Sequence, residues 1–511
     1  MKTISKLLAE ADCNLVHGDK DAFITSVVYD TRKIAPGCMF ICIKGAKFDS
    51  HSKIKDAIDA GAAAIVMEES NEHTKNILSS LGANMGVLTD TAFITVSDTR
   101  CALAHISAAW FDYPARKIKT IGVTGTKGKT TTTYLIKNIL EKAGFKVGLV
   151  GTIEIITGAR TIKSVNTTPE SYLLQEYFAE MWENGVDVAV MEVSSQGIMM
   201  HRTAGIMFDF GVFTNLSPDH IGPNEHASFE EYLGYKSQLF RQCKIGIVNG
   251  DDKYVEQILE GRTCKVETFG FGESNTLVAA NTKLEYRPGY LGISFDVHGE
   301  IETSITAGIP GKFSVYNVLT ALSVCRHFDI RLEVLSAAFK DANVKGRIEI
   351  SKITDDMFMI IDYAHNAMAL ESLLTSLREY KPERLVCLFG CGGNRAKSRR
   401  YEMGAVSGRL ADLTIITSDN PRDEEPGDII GDIVTGIERT EGKFVTIADR
   451  REAIEYAITH GKKGDLIVLA GKGHEDYQEI KGVKYPMDER VIIKEILDSG
   501  VEPGGLACMP M

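Results

Sequence analysis

Long apolar runs are missing from this chain of 511 residues. The longest apolar stretch, around Ala62–Met67, is far shorter than the roughly 20 residues that a membrane-spanning helix needs. The N-terminal segment reaches Glu10 and Asp12 before any apolar region forms, which is not the pattern of a secretory signal. We therefore expect a cytoplasmic protein that is neither inserted into a membrane nor exported.

Zinc-type cysteine spacings and an excess of basic residues are also absent. The 10 cysteines are scattered, and the closest pairs, Cys38/Cys42 and Cys387/Cys391, do not have the usual spacing of a zinc knuckle. We interpret them as reduced thiols. The formal net charge is −12, whereas nucleic-acid-binding proteins carry basic faces or tails, so no nucleic-acid partner is expected.

The length favours about three domains of about 150 residues each. Strand and helix patterns alternate, which predicts an α/β protein. We predict a small α/β domain at 1–114, a central doubly wound, P-loop ATPase-like domain at 115–345 and a Rossmann-like domain at 346–511. Predicted strands lie at 26–29, 39–43, 64–67, 147–150, 186–191, 208–213, 245–248, 358–362, 385–389, 413–417 and 465–470, with a further strand from 118.

A glycine-rich loop stands between a predicted strand and a predicted helix in the segment Thr120–Thr133. Gly125 and Gly128 let the backbone curl, so that its N–H groups and the following helix N-terminus point at one anion. Lys129 supplies a positive charge for the β- and γ-phosphates, and the Thr130 hydroxyl is placed for Mg²⁺. A glycine turn before an ordinary helix would not explain the Lys-Thr pair. The loop, Gly-x-x-Gly-Lys-Thr, therefore predicts a nucleotide site.

Polar side chains follow the next two predicted strands of the central domain. Glu192 comes directly after the strand that ends at Met191, and His220 closes the segment Asn215-Leu-Ser-Pro-Asp-His. Taken singly, each is equally typical of a surface loop. Because the carboxyl ends of parallel strands meet at one edge of a sheet, we expect both side chains near Thr130, as oxygen and imidazole ligands of Mg²⁺.

Eight motifs appear in the order found in the Mur ligases of peptidoglycan synthesis, and the chain resembles that family over essentially its whole length. They are Gly-Thr-Lys-Gly-Lys-Thr at 125–130, Asn-Thr-Thr-Pro at 166–169, Glu-Val-Ser-Ser at 192–195, Asn-Leu-Ser-Pro-Asp-His at 215–220, Gly-Arg at 346–347, Asp-Tyr-Ala-His at 362–365, Asp-Asn-Pro-Arg at 419–422 and Gly-Lys-Gly-His-Glu at 471–475. The last two resemble the members that add the third amino acid of the stem peptide to UDP-N-acetylmuramoyl-L-alanyl-D-glutamate.

The resemblance implies three groups of binding residues. The implied ATP contacts are Gly125, Thr126, Lys127, Gly128, Lys129, Thr130, Thr131, Asn317, Arg347 and Asp362. The implied contacts of the UDP-substrate are Thr31, Arg32, Ala46, Lys47 and Phe48 for its uridine nucleotide, and Thr167, Thr168, Ser194 and Arg202 for its muramoyl-dipeptide arm. The incoming amino acid is assigned to Arg395, Asp419, Asn420, Arg422, Gly471 and Glu475.

The resemblance also implies a modified lysine among the catalytic residues, which are Lys129, Glu192, His220 and Lys236. Lys236 matches the lysine that the family carbamylates with CO₂, although by itself it is typical of an ordinary helix lysine. The implied metal site holds two Mg²⁺ ions on Thr130, Glu192, His220 and the Lys236 carbamate.

The implied reaction is ATP-dependent amide ligation through an acyl-phosphate, with the third domain closing to exclude water. We expect meso-diaminopimelate as the amino acid, because Arg422 and Asn420 can hold its distal carboxylate and Glu475 its distal ammonium. L-lysine as the substrate, a ligase similar to folylpolyglutamate synthetase and a nucleotide-gated binding protein without turnover are the alternatives. A monomer is expected.

Overall fold

The computed structural model describes residues 1–45, 47–82, 90–219, 221–222 and 225–504. The chain forms two compact units, Met1–Thr133 with Gly144–Thr268, and Tyr134–Ala143 with the chain from Phe269 onward. No helix in the described ranges is long and apolar enough to cross a membrane. The domain limits at 114/115 and 345/346 stay predictions.

The first unit begins with a five-stranded sheet in the order β2-β7-β6-β5-β4, in which only β2 runs antiparallel to its neighbour. Strands β5 to β7 are almost entirely buried because apolar side chains cover both faces. The elements are β1 Lys2–Thr3, α1 Ile4–Leu7, β2 Asn14–His17, β3 Phe23–Ile24, β4 Ser26–Val28, β5 Cys38–Ile41, α2 Ile54–Asp59, β6 Ala64–Glu68, α3 Glu72–Gly82, β7 Ala92–Val96 and α4 Thr99–Trp110.

The same unit continues into a second sheet whose strands lie in the order β11-β10-β9-β12-β8-β13-β14-β15. Strand β8 is at its centre, parallel to β12 and to β13. The elements are β8 Lys119–Thr124, α5 Lys129–Lys142, β9 Val147–Val150, β10 Glu154–Ile156, β11 Thr161–Lys163, α6 Ser171–Glu183, β12 Val188–Glu192, α7 Ser195–Met199, β13 Phe208–Phe213, α8 Phe229–Ser237, β14 Cys243–Asn249, α9 Val255–Ile258 and β15 Lys265–Gly270. The part of α5 after Thr133 and the part of β15 after Thr268 belong to the second unit.

The register of this sheet brings three strand ends together. Glu192, the last residue of β12, is paired with Val123, and Phe213, the last residue of β13, is paired with Thr124. The segments that leave β8, β12 and β13 therefore begin side by side. This is the edge at which doubly wound sheets bind their ligands.

The second unit begins with three antiparallel strands, β16 to β18, which the sequence analysis did not predict. Helices α10 and α11 follow them. The elements of this unit are β16 Leu277–Arg287, β17 Tyr290–Gly299, β18 Thr303–Ala307, α10 Ser314–Cys325, α11 Leu332–Lys340, β19 Glu349–Thr354, β20 Met357–Asp362, α12 Ala367–Arg378, β21 Arg384–Phe389, α13 Lys397–Leu410, β22 Leu413–Ile416, α14 Pro426–Ile437, β23 Phe444–Thr446, α15 Arg450–Thr459, β24 Asp465–Ala470, β25 Tyr477–Ile480, β26 Val483–Pro486 and α16 Glu489–Asp498.

A six-stranded sheet in the order β19-β20-β24-β21-β22-β23 forms the core of this unit, and all its strands except β19 are parallel. Apolar clusters lie on both of its faces. This agrees with the predicted Rossmann-like arrangement. After β24 comes a hairpin, β25 and β26, that turns at Lys481 and Gly482, whose φ angles are +47° and +77°. Two consecutive positive φ angles are typical of a type I′ turn.

One buried arginine joins the ends of two of these parallel strands. Arg450, at the start of α15, donates to the carbonyl of Ser418 at 3.2 Å and to that of Ala470 at 3.1 Å. Its Nε donates to Glu489 at 2.9 Å, and both side chains are at most 1 % exposed. Burial raises the pKa of Glu489, and Arg450 opposes that rise. The pair therefore fixes the chain just beyond β22 and at the end of β24.

We predict that Arg450→Met lowers the free energy of unfolding by about 3–5 kcal/mol, because it leaves Glu489 buried without its counter-charge. Arg451→Met is the matched control, since the Arg451–Glu495 pair is half exposed and such pairs contribute about 0–1 kcal/mol. Chemical denaturation of both variants measures the difference. Equal stability of the two variants would contradict the role given to Arg450.

Candidate active site

The phosphate loop leaves β8 at Thr124 and enters α5 at Lys129. Gly125 has a φ of +146° and Gly128 a φ of +85°, a region of backbone space that favours glycine. A Cβ on Gly125 would also lie 2.0 Å from Thr214 Oγ1. Position 125 therefore requires glycine. The first N–H groups of α5 follow at once, and such groups bind anions.

Side chains at the end of β13 hold this loop in place. Asn215 accepts a hydrogen bond from the Lys127 N–H at 3.0 Å and donates to the Lys127 carbonyl at 3.0 Å. Thr214 donates to the same carbonyl at 2.7 Å. The Thr126 hydroxyl lies 3.0 Å from the hydroxyl of Tyr232. The loop conformation is thus fixed from outside the loop.

Lys129 lies with its ammonium against the loop itself. Its Nζ donates to the Gly125 carbonyl at 2.8 Å and to the Thr126 carbonyl at 3.1 Å. Thr130 and Thr131 are in the first turn of α5. The positive charge is therefore held at the phosphate loop, as the sequence motif requires.

Glu192 is buried among hydroxyl groups. The Thr130 hydroxyl donates to its two oxygens at 3.0 and 3.1 Å, and the Thr152 hydroxyl and N–H donate at 3.0 and 2.8 Å. The side chain of Thr167 lies 3.0 Å from that of Thr152. The structure therefore brings the predicted Thr130 and Glu192 into direct contact.

This group of oxygens is chemically suited to Mg²⁺, which prefers carboxylate and hydroxyl oxygens and retains waters and phosphate oxygens. Within the described ranges, no three His, Cys, Asp or Glu side chains come together as a metal site. Thr130 and Glu192 would thus be the protein ligands seen here. His220 lies outside the described residues, as does Ala46 of the predicted UDP-binding set.

Lys236 is a buried lysine on α8, with only 1 % of its surface exposed. Its Nζ donates to the Gly125 carbonyl at 2.9 Å and lies 4.6 Å from the centre of the Tyr232 ring. Burial, followed by the charge of Lys129, lowers the pKa of Lys236 well below its usual value. The fold therefore places a weakly basic amine against the phosphate loop.

The predicted contacts of the muramoyl arm lie beside Glu192. The Thr168 hydroxyl donates to the Glu192 carbonyl at 3.0 Å and accepts from the Ser194 N–H at 3.0 Å. Arg202 donates to the Thr168 carbonyl at 2.9 Å. Thr167, Thr168, Ser194 and Arg202 therefore form one group at the end of β12.

The predicted uridine contacts lie in the segments that follow β4 and β5 of the five-stranded sheet. Thr31 and Arg32 begin a short 3₁₀ turn, and Arg32 pairs with Asp30 at 2.7 Å while remaining 86 % exposed. The hydrogen bonds from Arg32 lower the pKa of Asp30 to about 2. Lys47 and Phe48 are exposed, which leaves the charge of one and the ring of the other accessible to a ligand.

The remaining predicted ATP contacts belong to the second unit. Asn317 is buried on α10. The Arg347 guanidinium lies 4.9 Å from the centre of the Tyr363 ring. Asp362 accepts from the N–H groups of Ile348 and Ala364, both at 2.8 Å, and burial raises its pKa.

Most of the predicted amino-acid contacts meet beyond β22 and β24. Asn420 donates to Glu475 at 2.9 Å. A Cβ on Gly471, whose φ is +108°, would lie 2.9 Å from Asp419. Arg395 is exposed, and no hydrogen bond or ion pair joins it to this group in the part of the chain that the structure describes.

Arg422 is anchored by the hairpin and by a neighbouring loop. Its Nε donates to Glu479 at 3.2 Å and one terminal nitrogen donates to the Gly393 carbonyl at 2.7 Å. Its backbone, with φ +52°, bonds to Glu479 and Lys481 on β25 and in the turn. Because a guanidinium has five N–H donors, both terminal nitrogens keep hydrogens for a ligand.

The sequence analysis missed three residues of these groups. Thr152 donates to Glu192, Glu479 pairs with Arg422, and Lys472 is fully buried beside Asn420 and Glu475. The position of Lys472 directly after a buried strand and between two motif glycines was a usable signal. Thr152 and Glu479 belong to no motif.

Family models match most of the chain. A Mur ligase family, catalytic domain matches 23–111, a Mur ligase middle domain matches 123–325, and a Mur ligase, glutamate ligase domain matches 346–473. These three regions and the glycine loop define a three-domain, nucleotide-binding α/β protein. The chain belongs to the Mur ligase family.

Individual relatives resemble the chain over nearly its full length. A UDP-N-acetylmuramoyl-L-alanyl-D-glutamate–2,6-diaminopimelate ligase from Caldanaerobacter subterraneus subsp. tengcongensis is 42 % identical, over 94 % of this chain and 96 % of the relative. A ligase of the same name from Clostridium perfringens is 38 % identical, over 97 % and 99 %. A solved structure with that name has 25 % identity and a TM-score of 0.70, covering 98 % of this chain and 99 % of its own.

We predict that Lys129→Ala lowers ATP turnover by about 100-fold or more, because it removes the ammonium that is held against the phosphate loop. Lys142→Ala, at the far end of the same helix, is the control and should retain activity, since its half-exposed side chain pairs with Asp341. ADP release with both substrates present measures the effect, and thermal melting checks the fold. Near-normal turnover of a folded Lys129→Ala protein would rule out the phosphate role.

Proposed function

We propose that this protein is an ATP-dependent ligase that joins meso-diaminopimelate to UDP-N-acetylmuramoyl-L-alanyl-D-glutamate in peptidoglycan synthesis. The observation that supports it most is the group of Asn420, Arg422 and Glu475 in a chain that also carries the phosphate loop. The names of the relatives support the same substrates. We propose a cytoplasmic monomer without a nucleic-acid partner, and domains limited at 114/115 and 345/346.

ATP is needed because a carboxylate is a poor electrophile at neutral pH. An oxygen of the glutamate carboxylate attacks the γ-phosphorus, the bond to the bridging oxygen breaks, and ADP leaves. The α-amine of the incoming amino acid then attacks the acyl carbon, and phosphate leaves as the amide forms. Lys129 and the N–H groups at the start of α5 stabilise the charge that moves in the first step.

Mg²⁺ would be held by Thr130 and Glu192, with His220 as a further ligand and the modified Lys236 at a second ion. When bound, it supplies positive charge that offsets the repulsion between phosphate and carboxylate. Thr152 keeps the Glu192 carboxylate oriented through its hydroxyl and N–H. Asn317 of the central domain and Arg347 and Asp362 of the third domain are the proposed nucleotide contacts. Closure of the third domain would exclude water from the acyl-phosphate.

Lys236 is proposed to carry a carbamate in the active enzyme. A neutral amine reacts with CO₂, and the lowered pKa of Lys236 favours the neutral form. The reaction forms a bond between Nζ and the carbon of CO₂ and releases one proton, so an anionic carbamate replaces the neutral amine. The carbamate would attract the Lys129 ammonium, which repels a protonated Lys236.

The choice of amino acid depends on the distal end of its side chain. Diaminopimelate carries a carboxylate there beside its ammonium, whereas lysine carries the ammonium alone. The free hydrogens of Arg422 can bind that carboxylate, and Glu475 can bind the ammonium. Lysine would leave the guanidinium without a ligand partner, so the site favours one substrate and disfavours the other.

We predict that the wild-type protein, given the UDP-dipeptide and equal concentrations of both amino acids, forms the diaminopimelate product in excess. The product mass and ADP release measure this outcome. ATP hydrolysis without a ligated product would contradict the ligase assignment. A preference for L-lysine would contradict the assignment of the pocket alone.

In the same assay, Arg422→Ala should weaken diaminopimelate use at least about tenfold, because the distal carboxylate of the ligand would lose the guanidinium that binds it. Lys481→Met is the matched control, since this neighbouring side chain is 73 % exposed. An unchanged selectivity of Arg422→Ala would show that the distal carboxylate binds elsewhere.

For Lys236, we predict that activity falls in CO₂-depleted buffer and returns with bicarbonate. Lys236→Arg should be inactive, because it fixes a positive charge where an anion is needed. Lys244→Arg, an exposed lysine of the same unit that pairs with Asp209, is the control. Labelled ¹³CO₂ should give a carbamate carbon signal in the wild type that Lys236→Arg lacks, and full activity of Lys236→Arg would refute the modification.

A further inference from the structure

A fully buried lysine lies within the proposed amino-acid pocket. Lys472 is the second residue after β24, between Gly471 and Gly473, and none of its side chain is exposed. Lysine is almost never fully buried unless its charge is paired. Its burial therefore indicates a specific set of partners.

The Lys472 ammonium has three hydrogens, and three acceptors in the described part of the chain take them. Nζ donates to Asn420 Oδ1 at 2.9 Å, to Glu475 Oε2 at 2.8 Å and to the Tyr477 carbonyl at 2.5 Å. The Asp419 carboxylate lies 3.6 Å away. The Lys472 ammonium thus pairs with the carboxylates of Asp419 and Glu475 and binds the amide oxygen of Asn420.

Lys472 determines which way the amide of Asn420 points. Asn420 Oδ1 also accepts from the Glu479 N–H at 2.9 Å, so both acceptor positions of this oxygen face donors. The amide nitrogen must therefore point in the other direction. It donates one hydrogen to Glu475 Oε2 at 2.9 Å and keeps a second hydrogen for a ligand.

Lys472 also determines which oxygen of Glu475 remains available. Lys472 and Asn420 both bind Oε2. Oε1 has no hydrogen-bond partner in the part of the chain that the structure describes. The pocket therefore presents an N–H donor and a carboxylate oxygen close together, which complements a ligand that carries a carboxylate beside an ammonium.

We propose that Lys472 is the positioning residue of the amino-acid pocket, and that it orients Asn420 and Glu475 to recognise the distal ammonium and carboxylate of the incoming diamino acid. This inference rests on the proposed function. In this role, Lys472 contacts none of the three substrates and moves no proton. It acts through the two side chains that it holds.

The test is Lys472→Met, which keeps all but the last atom of the side-chain length and removes its donors. The KM for meso-diaminopimelate should rise by about tenfold or more, because Asn420 and Glu475 lose the bonds that orient them. The KM values for ATP and the UDP-dipeptide should stay unchanged. Lys484→Met is the matched control, since Lys484 is exposed and lies 4.1 Å from the centre of the Tyr477 ring.

An unchanged KM for diaminopimelate in folded Lys472→Met would overturn the proposal, and so would an equal rise of all three KM values, which indicates general damage. If Lys472→Met does not melt cooperatively, it is not folded, and the KM for diaminopimelate is measured in Lys472→Arg instead. This variant keeps the positive charge but replaces the ammonium by a planar guanidinium. A selective rise in the KM for diaminopimelate supports the proposal, and a wild-type KM overturns it.

A crystal structure of the wild type with meso-diaminopimelate gives an answer that does not depend on any variant folding. The ligand should contact Asn420 Nδ2 and Glu475 Oε1 while Lys472 keeps its bonds to Asn420 Oδ1 and Glu475 Oε2. Direct contact between Lys472 and the ligand would overturn the proposal. Failure of the wild type to ligate diaminopimelate would instead refute the proposed function.

Discussion

Both candidate sites depend on one constraint, which is that parallel strands end at a common edge where their last carbonyl groups need donors. In the second unit, Arg450 meets this need at Ser418 and Ala470, and the buried Glu489 balances its charge. The two segments that carry Asn420 and Glu475 start from these fixed points. Their mutual geometry is thus determined before any ligand binds.

The sequence predicts 12 of the 26 strands in the described ranges, and these are parallel strands that form continuous apolar runs. Phe208–Phe213 and Asp465–Ala470 were predicted at the observed limits, and both are fully buried. Strands β16 to β18 were missed because they alternate buried and exposed residues with polar side chains between. The hairpin β25–β26 was missed because β26 is exposed throughout. Strands β16 to β18 and the hairpin β25–β26 are stabilised by pairing between strands. This pairing cannot be predicted from a short run of residues.

The candidate site likewise has parts that the sequence predicts and parts that it does not. The phosphate loop could be predicted because the pattern Gly-x-x-Gly-Lys-Thr between a strand and a helix is typical of a phosphate-binding site. Both glycines have the positive φ angles that such a loop needs. The role of Glu479 could not be predicted, because it belongs to no motif. The place of Lys472 between two motif glycines singles it out, but a buried lysine and a surface lysine are the same letter in a sequence. Only tertiary contacts, such as the one between Lys472 and Asn420, distinguish them. Arg395 is the opposite case. The sequence analysis assigned it to the amino-acid contacts, but no hydrogen bond or ion pair joins it to them in the described part of the chain.

The hairpin β25–β26 has a consequence for how this enzyme family can diversify. It supplies Glu479 to Arg422 and the Tyr477 carbonyl to Lys472, yet it is closed by a tight two-residue turn and its second strand is exposed. Exposed hairpins tolerate substitution and changes of length. The phosphate loop belongs to the other compact unit. Mutations in a small surface element could therefore change which amino acid is accepted and leave the phosphoryl-transfer chemistry intact, which separates the evolution of specificity from that of catalysis.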